Sequence, residues 1–171
     1  YQVGTGAYAY GTGVSVAGTN SNTIPGGRGN VVLVKYDTAG TAQWAKTVSA
    51  GAGRSIFYSV MVDGNGNVYA AGSQFGTGTF TYGTGVSATG TSITENVVLV
   101  KYDTVGTAQW AKTVTAGADP SIFTSVAVDE SGNVYAAGAQ FGTGTFTYGP
   151  GIDATGSSST GNNVVLVKYN V

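Results

Sequence analysis

Oxygen-bearing side chains alternate with glycine in one short segment, where they could bind a metal ion. Asp63, Asn65 and Asn67 stand in the sequence Asp-Gly-Asn-Gly-Asn, with the spacing that begins a Ca²⁺-binding loop. No glutamate follows at the distance where such a loop supplies its bidentate ligand. A later copy of the segment reads Asp-Glu-Ser-Gly-Asn and keeps only part of the set. We therefore favour a hairpin turn with Gly66 or Gly132 at positive φ, and keep Ca²⁺ binding as the alternative.

The acidic residues show no pattern typical of catalysis. A glycosidase needs two carboxylates that converge on a cleft, and nothing in their spacing indicates such a pair. The chain has no His and no Cys, which excludes a Ser-His-Asp triad and a Cys or His metal site within it. Gly76-Thr77-Gly78 lacks the lysine and the helix that follow a phosphate-binding loop. We expect neither enzymatic activity nor a cofactor. The eight carboxylates lie mostly in turns: Asp37, Asp63, Glu95, Asp103, Asp119, Asp129, Glu130 and Asp153.

Aromatic residues recur at fixed positions, where they could contact a partner chain or a sugar. Trp44 and Trp110 occupy the same position in two copies of one strand, which indicates packing against an adjacent sheet, with sugar stacking as the alternative. Other aromatic residues lie in long connections rich in Thr and Gly, and we predict that they are exposed contact residues. They are Tyr8, Tyr10, Phe80, Tyr82, Phe146 and Tyr148.

The segments that carry these residues recur with a fixed period. Asn-Val-Val-Leu-Val-Lys-Tyr begins at Asn30, Asn96 and Asn163, at spacings of 66 and 67 residues. A period in this range is typical of solenoids, propellers and arrays. The 171 residues hold about 2.6 repeats of 66 residues, incomplete at both ends. We divide this single repeat domain into a partial repeat (1–29), two repeats (30–95 and 96–162) and a partial repeat (163–171).

Each repeat contains four strand signals rich in Val and aromatic residues and bounded by Gly, Asn, Asp and Thr. No segment has a sustained helical period with caps. We therefore predict an all-β chain. The long segments Phe75–Glu95 and Phe141–Asn162 could add a small hairpin to each repeat. The four signals are Ser59–Asp63, Asn67–Gly72, Val31–Tyr36 (again at Val97–Tyr102) and Ala42–Val48.

The composition of two strands favours a radial assembly of sheets. Val31–Tyr36 is apolar on both faces, which indicates a sheet covered on both sides, and Asn67–Gly72 is small on both faces, which suits a crowded axis. Four-stranded antiparallel sheets packed face to face around an axis are the blades of a β-propeller. The segments Ser125–Gly138 and Asn96–Lys112, with their earlier copies, resemble the bacterial β-propeller repeat family called SBBP. The resemblance implies propeller blades and leaves function open, since these repeats occur in many surface proteins of unknown role.

Composition limits the partners. The net charge is −1 and only 9% of the residues are charged, which argues against nucleic acid. No apolar run reaches 18 residues, so no membrane-spanning helix is expected. Low charge with abundant Gly, Thr, Ser and Tyr is typical of bacterial secreted and cell-surface proteins. The loop Thr19–Gly29, with Ile24-Pro25-Gly26-Gly27, is longer than its counterpart and reads as a surface insertion or a contact loop.

About 2.6 repeats cannot close a ring of ordinary blades, so we expect unpaired sheet edges. The chain would then be part of a longer propeller, a homo-oligomer completed by strand addition, or a filament. The function we expect is that of a non-catalytic extracellular scaffold that self-assembles through blade edges and repeat faces. The alternative is a lectin-like carbohydrate-binding or adhesion module of a larger surface protein.

Overall fold

The computed structural model describes residues 1–20 and 29–170, and these residues form strands with antiparallel pairing and no helix. This confirms the all-β prediction. Most of the predicted loop Thr19–Gly29 lies outside the described residues. The fifteen strands are β1 (Ala7–Gly11), β2 (Val14–Ala17), β3 (Leu33–Tyr36), β4 (Ala42–Lys46), β5 (Ser55–Val62), β6 (Val68–Phe75), β7 (Thr79–Gly83), β8 (Val86–Thr89), β9 (Glu95–Tyr102), β10 (Ala108–Lys112), β11 (Ser121–Val128), β12 (Val134–Phe141), β13 (Thr145–Gly149), β14 (Ile152–Thr155) and β15 (Asn162–Tyr169).

The middle sheet is a four-stranded antiparallel meander in the order β5-β6-β9-β10. Two of its three eight-residue strands, β6 and β9, pair over their whole length, from Val68 opposite Tyr102 to Phe75 opposite Glu95. The β7–β8 hairpin is inserted between them in sequence and forms a separate two-stranded sheet. The long Thr-rich connection therefore folds into the small hairpin that the sequence predicted.

Tight turns join neighbouring strands of the middle sheet. The Asp63–Asn67 turn is closed by a hydrogen bond from the Gly66 N–H to the Asp63 carbonyl oxygen, at 2.9 Å. Gly66 has φ of 81° and Gly132, in the next copy, has φ of 86°. Both values lie in the left-handed region that glycine adopts without steric cost. The prediction of a hairpin turn with glycine at positive φ is thus confirmed.

Two smaller sheets flank the middle sheet in sequence. The first sheet pairs β3 with β4, and an isolated bridge joins Gln2 to Asn30 beside it. The last sheet has the order β11-β12-β15. Its strands repeat the register of the middle sheet, including a bulge between Phe123 and Ser125 that matches the one between Phe57 and Ser59. The described residues thus contain one four-stranded sheet, and they form no closed ring.

The core lies between successive sheets and is divided by β9. Val98 and Val100 belong to a cluster shared with the first sheet, while Val97 and Leu99 belong to a cluster shared with the last sheet. All four side chains have an exposed fraction of 0%. The predicted covering of this strand on both faces is therefore confirmed for β9. Full burial of a Val or Leu side chain contributes about 1.5–3 kcal/mol, so each interface between sheets is a large source of stability.

Candidate assembly surface

The proposed Ca²⁺ ligand Asp63 is fully used by its own turn. Its carboxylate accepts hydrogen bonds from the backbone N–H groups of Asn65 and Asn67, from the Asn67 side chain and from the Tyr69 hydroxyl. Burial would raise the pKa of Asp63, but these hydrogen bonds outweigh burial and hold the pKa below its ordinary value. Within the described residues, no three Asp or Glu side chains come close enough together to hold a metal ion.

The prediction that aromatic residues of the hairpins are exposed is wrong for four of the six. Phe80, Tyr82, Phe146 and Tyr148 have exposed fractions of 1%, 3%, 0% and 2%. The reason is that each hairpin turns back against the sheets, so that its aromatic face joins the core clusters. A hydrogen bond of 3.0 Å from the Tyr82 hydroxyl to Gln74 Oε1, and one of 2.9 Å from Tyr148 to Gln140 Oε1, satisfy the buried hydroxyls.

The other two predicted contact residues lie in the first hairpin and are more open. Tyr8 is 43% exposed and donates a hydrogen bond to the Val3 carbonyl oxygen. Tyr10 is half-buried and donates to Gln2 Oε1. Burial and the neighbouring phenol of Tyr8 raise the pKa of Tyr10. The six aromatic residues therefore do not form one common surface.

The two tryptophans lie beside neighbouring aromatic rings. Trp44 is buried, and its ring centroid is 6.4 Å from that of Tyr102 in the middle sheet. Trp110 is half-buried, with its ring centroid 6.0 Å from that of Tyr69. The sugar-stacking alternative is less favoured for Trp44, because little of its ring reaches the surface.

One asparagine per repeat, buried at Asn96 and half-buried at Asn163, organises the return from the hairpin, and sequence reasoning did not identify it. Asn96 Oδ1 accepts hydrogen bonds from the backbone N–H groups of Thr91 and Ser92, and Asn96 Nδ2 donates to the Gly76 carbonyl oxygen. Asn163 makes the same contacts in the last sheet. A signal was available, since a polar residue precedes the apolar strand in every copy.

The last sheet exposes an apolar face that the middle sheet buries. Val164 and Leu166 of β15 are 91% and 67% exposed. Their counterparts in β9, one repeat earlier, are Val97 and Leu99, which are 0% exposed because the last sheet covers them. The opposite face of β15 carries Val165 and packs normally into the core. The last sheet therefore presents, uncovered, the surface through which the middle sheet binds its neighbour.

The edge of the last sheet is open as well. Among residues 1–20 and 29–170, β15 pairs with β12 on one side only, whereas β9 pairs with both β6 and β10. A cavity of about 720 Å³ lies along this free edge, and Val167 to Asn170 form one of its walls. Such a surface offers apolar contact and backbone hydrogen bonds, which are the interactions of sheet packing and strand addition.

In the part of the chain that the structure describes, fold and surface define an all-β repeat chain of antiparallel sheets whose last sheet has an exposed apolar face. No protein-family model matches the chain, and comparison with curated proteins finds no significant match. None of the described residues forms a helix with the length and apolar character needed to cross a membrane.

Proposed function

We propose that this chain is a non-catalytic structural repeat of the β-propeller type, located outside the cell, that assembles through the exposed face of its last sheet. The observation that carries the proposal is the contrast between Val164 and Val97, which occupy equivalent positions and are 91% and 0% exposed. Apolar side chains exposed side by side on a sheet commonly mark an interaction site.

The strand order of the middle sheet supports the propeller assignment. Its four strands are antiparallel and follow the chain in sequence, as in a propeller blade. The last sheet repeats the first three of these strands in the same register. Because β11 packs on the middle sheet through Phe123 and Val126 of the shared core, the stacking of sheets is already present inside the chain.

Assembly would repeat this internal stacking between molecules. A partner sheet that covered Val164 and Leu166 would bury two large apolar side chains, each worth about 1.5–3 kcal/mol when fully buried. A head-to-tail contact of this kind gives a ring if its rotation closes, and a filament otherwise. Low net charge, at −1, offers little repulsion between copies.

The experiment is light scattering over a range of protein concentrations, with negative-stain microscopy of the same samples. We expect assemblies that grow with concentration and form discs or filaments. The double variant V164K/L166K places charges on the exposed face and should remain monomeric. A wild-type chain that stays monomeric at every concentration would overturn the proposal.

A matched control separates this face from apolar exposure in general. Ile93 is 78% exposed and lies in the loop before β9, outside β15. The variant I93K should assemble as the wild type does. If I93K abolished assembly as completely as V164K/L166K, the face would not be the interface.

The carbohydrate-binding alternative has less support. Its candidate surface consisted of hairpin aromatic residues, and Phe80, Tyr82, Phe146 and Tyr148 are buried. Sugar binding through stacking requires an accessible ring face, which these four side chains do not offer.

A further inference from the structure

We propose that the cavity beside β15 is an acceptor site for a fourth strand with the sequence pattern Ala-Gln-Trp-Ala-Lys, supplied from outside these 171 residues. We call this cavity the strand slot. Its wall on the side of the last sheet includes Val167, Lys168 and Tyr169 of β15, with Tyr148 and Gly149 of β13. The inference deepens the proposed function, on which it rests, by specifying the partner of the sheet edge.

The slot lies where the other two sheets hold their last strand. In the middle sheet β10 pairs with β9, placing Ala108 opposite Tyr102 and Trp110 opposite Lys101. In the first sheet β4 pairs with β3, placing Ala42 opposite Tyr36 and Trp44 opposite Lys35. The corresponding positions of β15 are Tyr169 and Lys168, and both line the cavity. The pairing edge is therefore presented in the same register.

A glycine in each hairpin marks the position of the missing strand. A Cβ added to Gly11 would lie 2.8 Å from Ala42 Cβ, and one added to Gly83 would lie 2.7 Å from Ala108 Cβ. Each hairpin thus receives the alanine of the fourth strand directly against a glycine. At Gly149, the third glycine of this series, the nearest atom is Ile152 Cγ1 at 4.0 Å. The glycine is present, and the alanine that it accommodates elsewhere is not.

The wall of the cavity opposite β15 also consists of residues beside which a strand could lie. Ala111 to Thr115, the end of β10 with the residues that follow it, line the far side of the cavity. The first and middle sheets show the same arrangement: Trp44 and Lys46 of β4 lie close against Gly106, in the turn before β10. Fourth strands of successive sheets therefore lie next to one another, and the slot continues that row.

The occupant is a strand that is not already paired. Within this chain the pattern occurs only in β4 and β10, and both are paired in their own sheets. Donation of either strand by a second copy would break those hydrogen bonds before new ones form. An unpaired segment of the same pattern outside these 171 residues carries no such cost, since strand addition supplies main-chain bonds to an open edge.

The test uses a synthetic peptide with the sequence of residues 107–118, Thr-Ala-Gln-Trp-Ala-Lys-Thr-Val-Thr-Ala-Gly-Ala, labelled with fluorescein. Fluorescence anisotropy with increasing concentrations of the chain should show saturable binding at one peptide per chain. A peptide in which the alanine at position 108 is replaced by leucine should bind about 5- to 150-fold more weakly, because overpacking of a tight contact costs about 1–3 kcal/mol.

Two variants of the chain complete the test. G149V fills the space reserved for the alanine and should weaken binding of the native peptide about 5- to 150-fold. G78A is the matched control, since a Cβ there meets no atom within 4 Å. G78A should bind the peptide as the wild type does. No binding by the wild type, or equal binding by wild type and G149V, would overturn the strand slot.

The peptide experiment is distinct from the assembly experiment, so that failure of one idea can be told from failure of the other. The variant V164K disrupts the face and leaves Val167 to Tyr169 unchanged, so it should bind the peptide without assembling. Peptide binding by a wild-type chain that never assembles would overturn the proposed function and support the slot. Assembly without peptide binding would support the proposed function and overturn the strand slot. Dissociation of the assemblies by excess peptide would show that a second copy donates the strand, which would overturn the occupant proposed here.

Discussion

The indole nitrogen of Trp44 donates a hydrogen bond of 3.2 Å to the backbone carbonyl oxygen of Thr104. The two residues belong to different sheets: Trp44 lies in β4, and Thr104 lies in the turn between β9 and β10. Lys35 Nζ donates to the same oxygen at 3.1 Å. The Trp44 ring also packs on the Tyr102 ring. Trp44 therefore joins the first sheet to the middle sheet by both an apolar contact and a hydrogen bond.

Replacement of this tryptophan should be more costly than replacement of its counterpart. The variant W44F loses the bond to Thr104 and part of a buried ring, and we expect the free energy of unfolding to fall by about 1–2 kcal/mol. W110F changes a half-buried ring and should cost less. Urea denaturation followed by far-ultraviolet circular dichroism measures both. Equal losses in the two variants would contradict the role assigned to the Trp44 bond.

Two buried tyrosines should respond in opposite ways to removal of the hydroxyl. The Tyr82 hydroxyl bonds to Gln74, so Y82F leaves a buried amide oxygen without that donor and should cost about 1–3 kcal/mol. The Tyr102 hydroxyl is buried and has no hydrogen-bond partner within the described residues. Y102F should therefore be neutral or stabilising. Thermal unfolding of both variants decides the matter, and a destabilised Y102F would show that a partner such as bound water had been lost.

The glycine contacts give a third prediction, concerning stability alone. G83A drives a methyl group against Ala108 Cβ, and overpacking of this kind costs about 1–3 kcal/mol. G149A meets open space, because its nearest neighbour is 4.0 Å away. The free energy of unfolding should therefore fall in G83A and remain unchanged in G149A. A destabilised G149A would mean that the space beside β13 is already filled.

Acid should lower the stability that the turns at Asp63 and Asp129 contribute to the fold. Hydrogen bonds, first that from the Asn133 side chain, hold the pKa of Asp129 below its ordinary value of 3.8, and the pKa of Asp63 is lowered too. A lowered pKa in the folded state stabilises the fold above the ordinary value, and this contribution is lost as the pH falls through the lowered one. The stability advantage of wild type over D63N/D129N should thus be largest near neutral pH and shrink below pH 3.8. An advantage that stayed constant down to pH 2 would contradict this linkage.

The strands and turns were predictable because their signals are local. Apolar runs bounded by Gly and Asp gave β9 and the turn at Gly66, and repetition carried these predictions to the other copies. The start of β5 was missed, since the strand begins at Ser55 and includes a bulge near Phe57, whereas only Ser59–Asp63 was predicted. A bulge interrupts the alternation on which strand prediction depends.

The candidate surface was predictable only in outline. Incomplete repeats indicated open edges, but the direction in which a hairpin folds is decided by contacts distant in sequence. Phe80 and Tyr82 therefore seemed suited to the surface and lie in the core. The contact between Gly83 and Ala108 likewise joins two elements whose meeting no local pattern encodes. Burial of Asn96 and Gln74 depends on the same arrangement, since each satisfies backbone groups of the hairpin.

The asparagine that binds each inserted hairpin has a consequence for how the chain can change length. Because Asn96 and Asn163 each bind the hairpin inserted in their own sheet through the same hydrogen bonds, each unit of one sheet and its hairpin is held together internally. The contacts of such a unit to the preceding sheet also recur, since the bond from the Thr81 N–H in β7 to the Ala50 carbonyl oxygen after β4 is repeated from Thr147 to Ala116. Duplication or loss of one such unit would therefore lengthen or shorten the array of sheets without creating a new kind of junction.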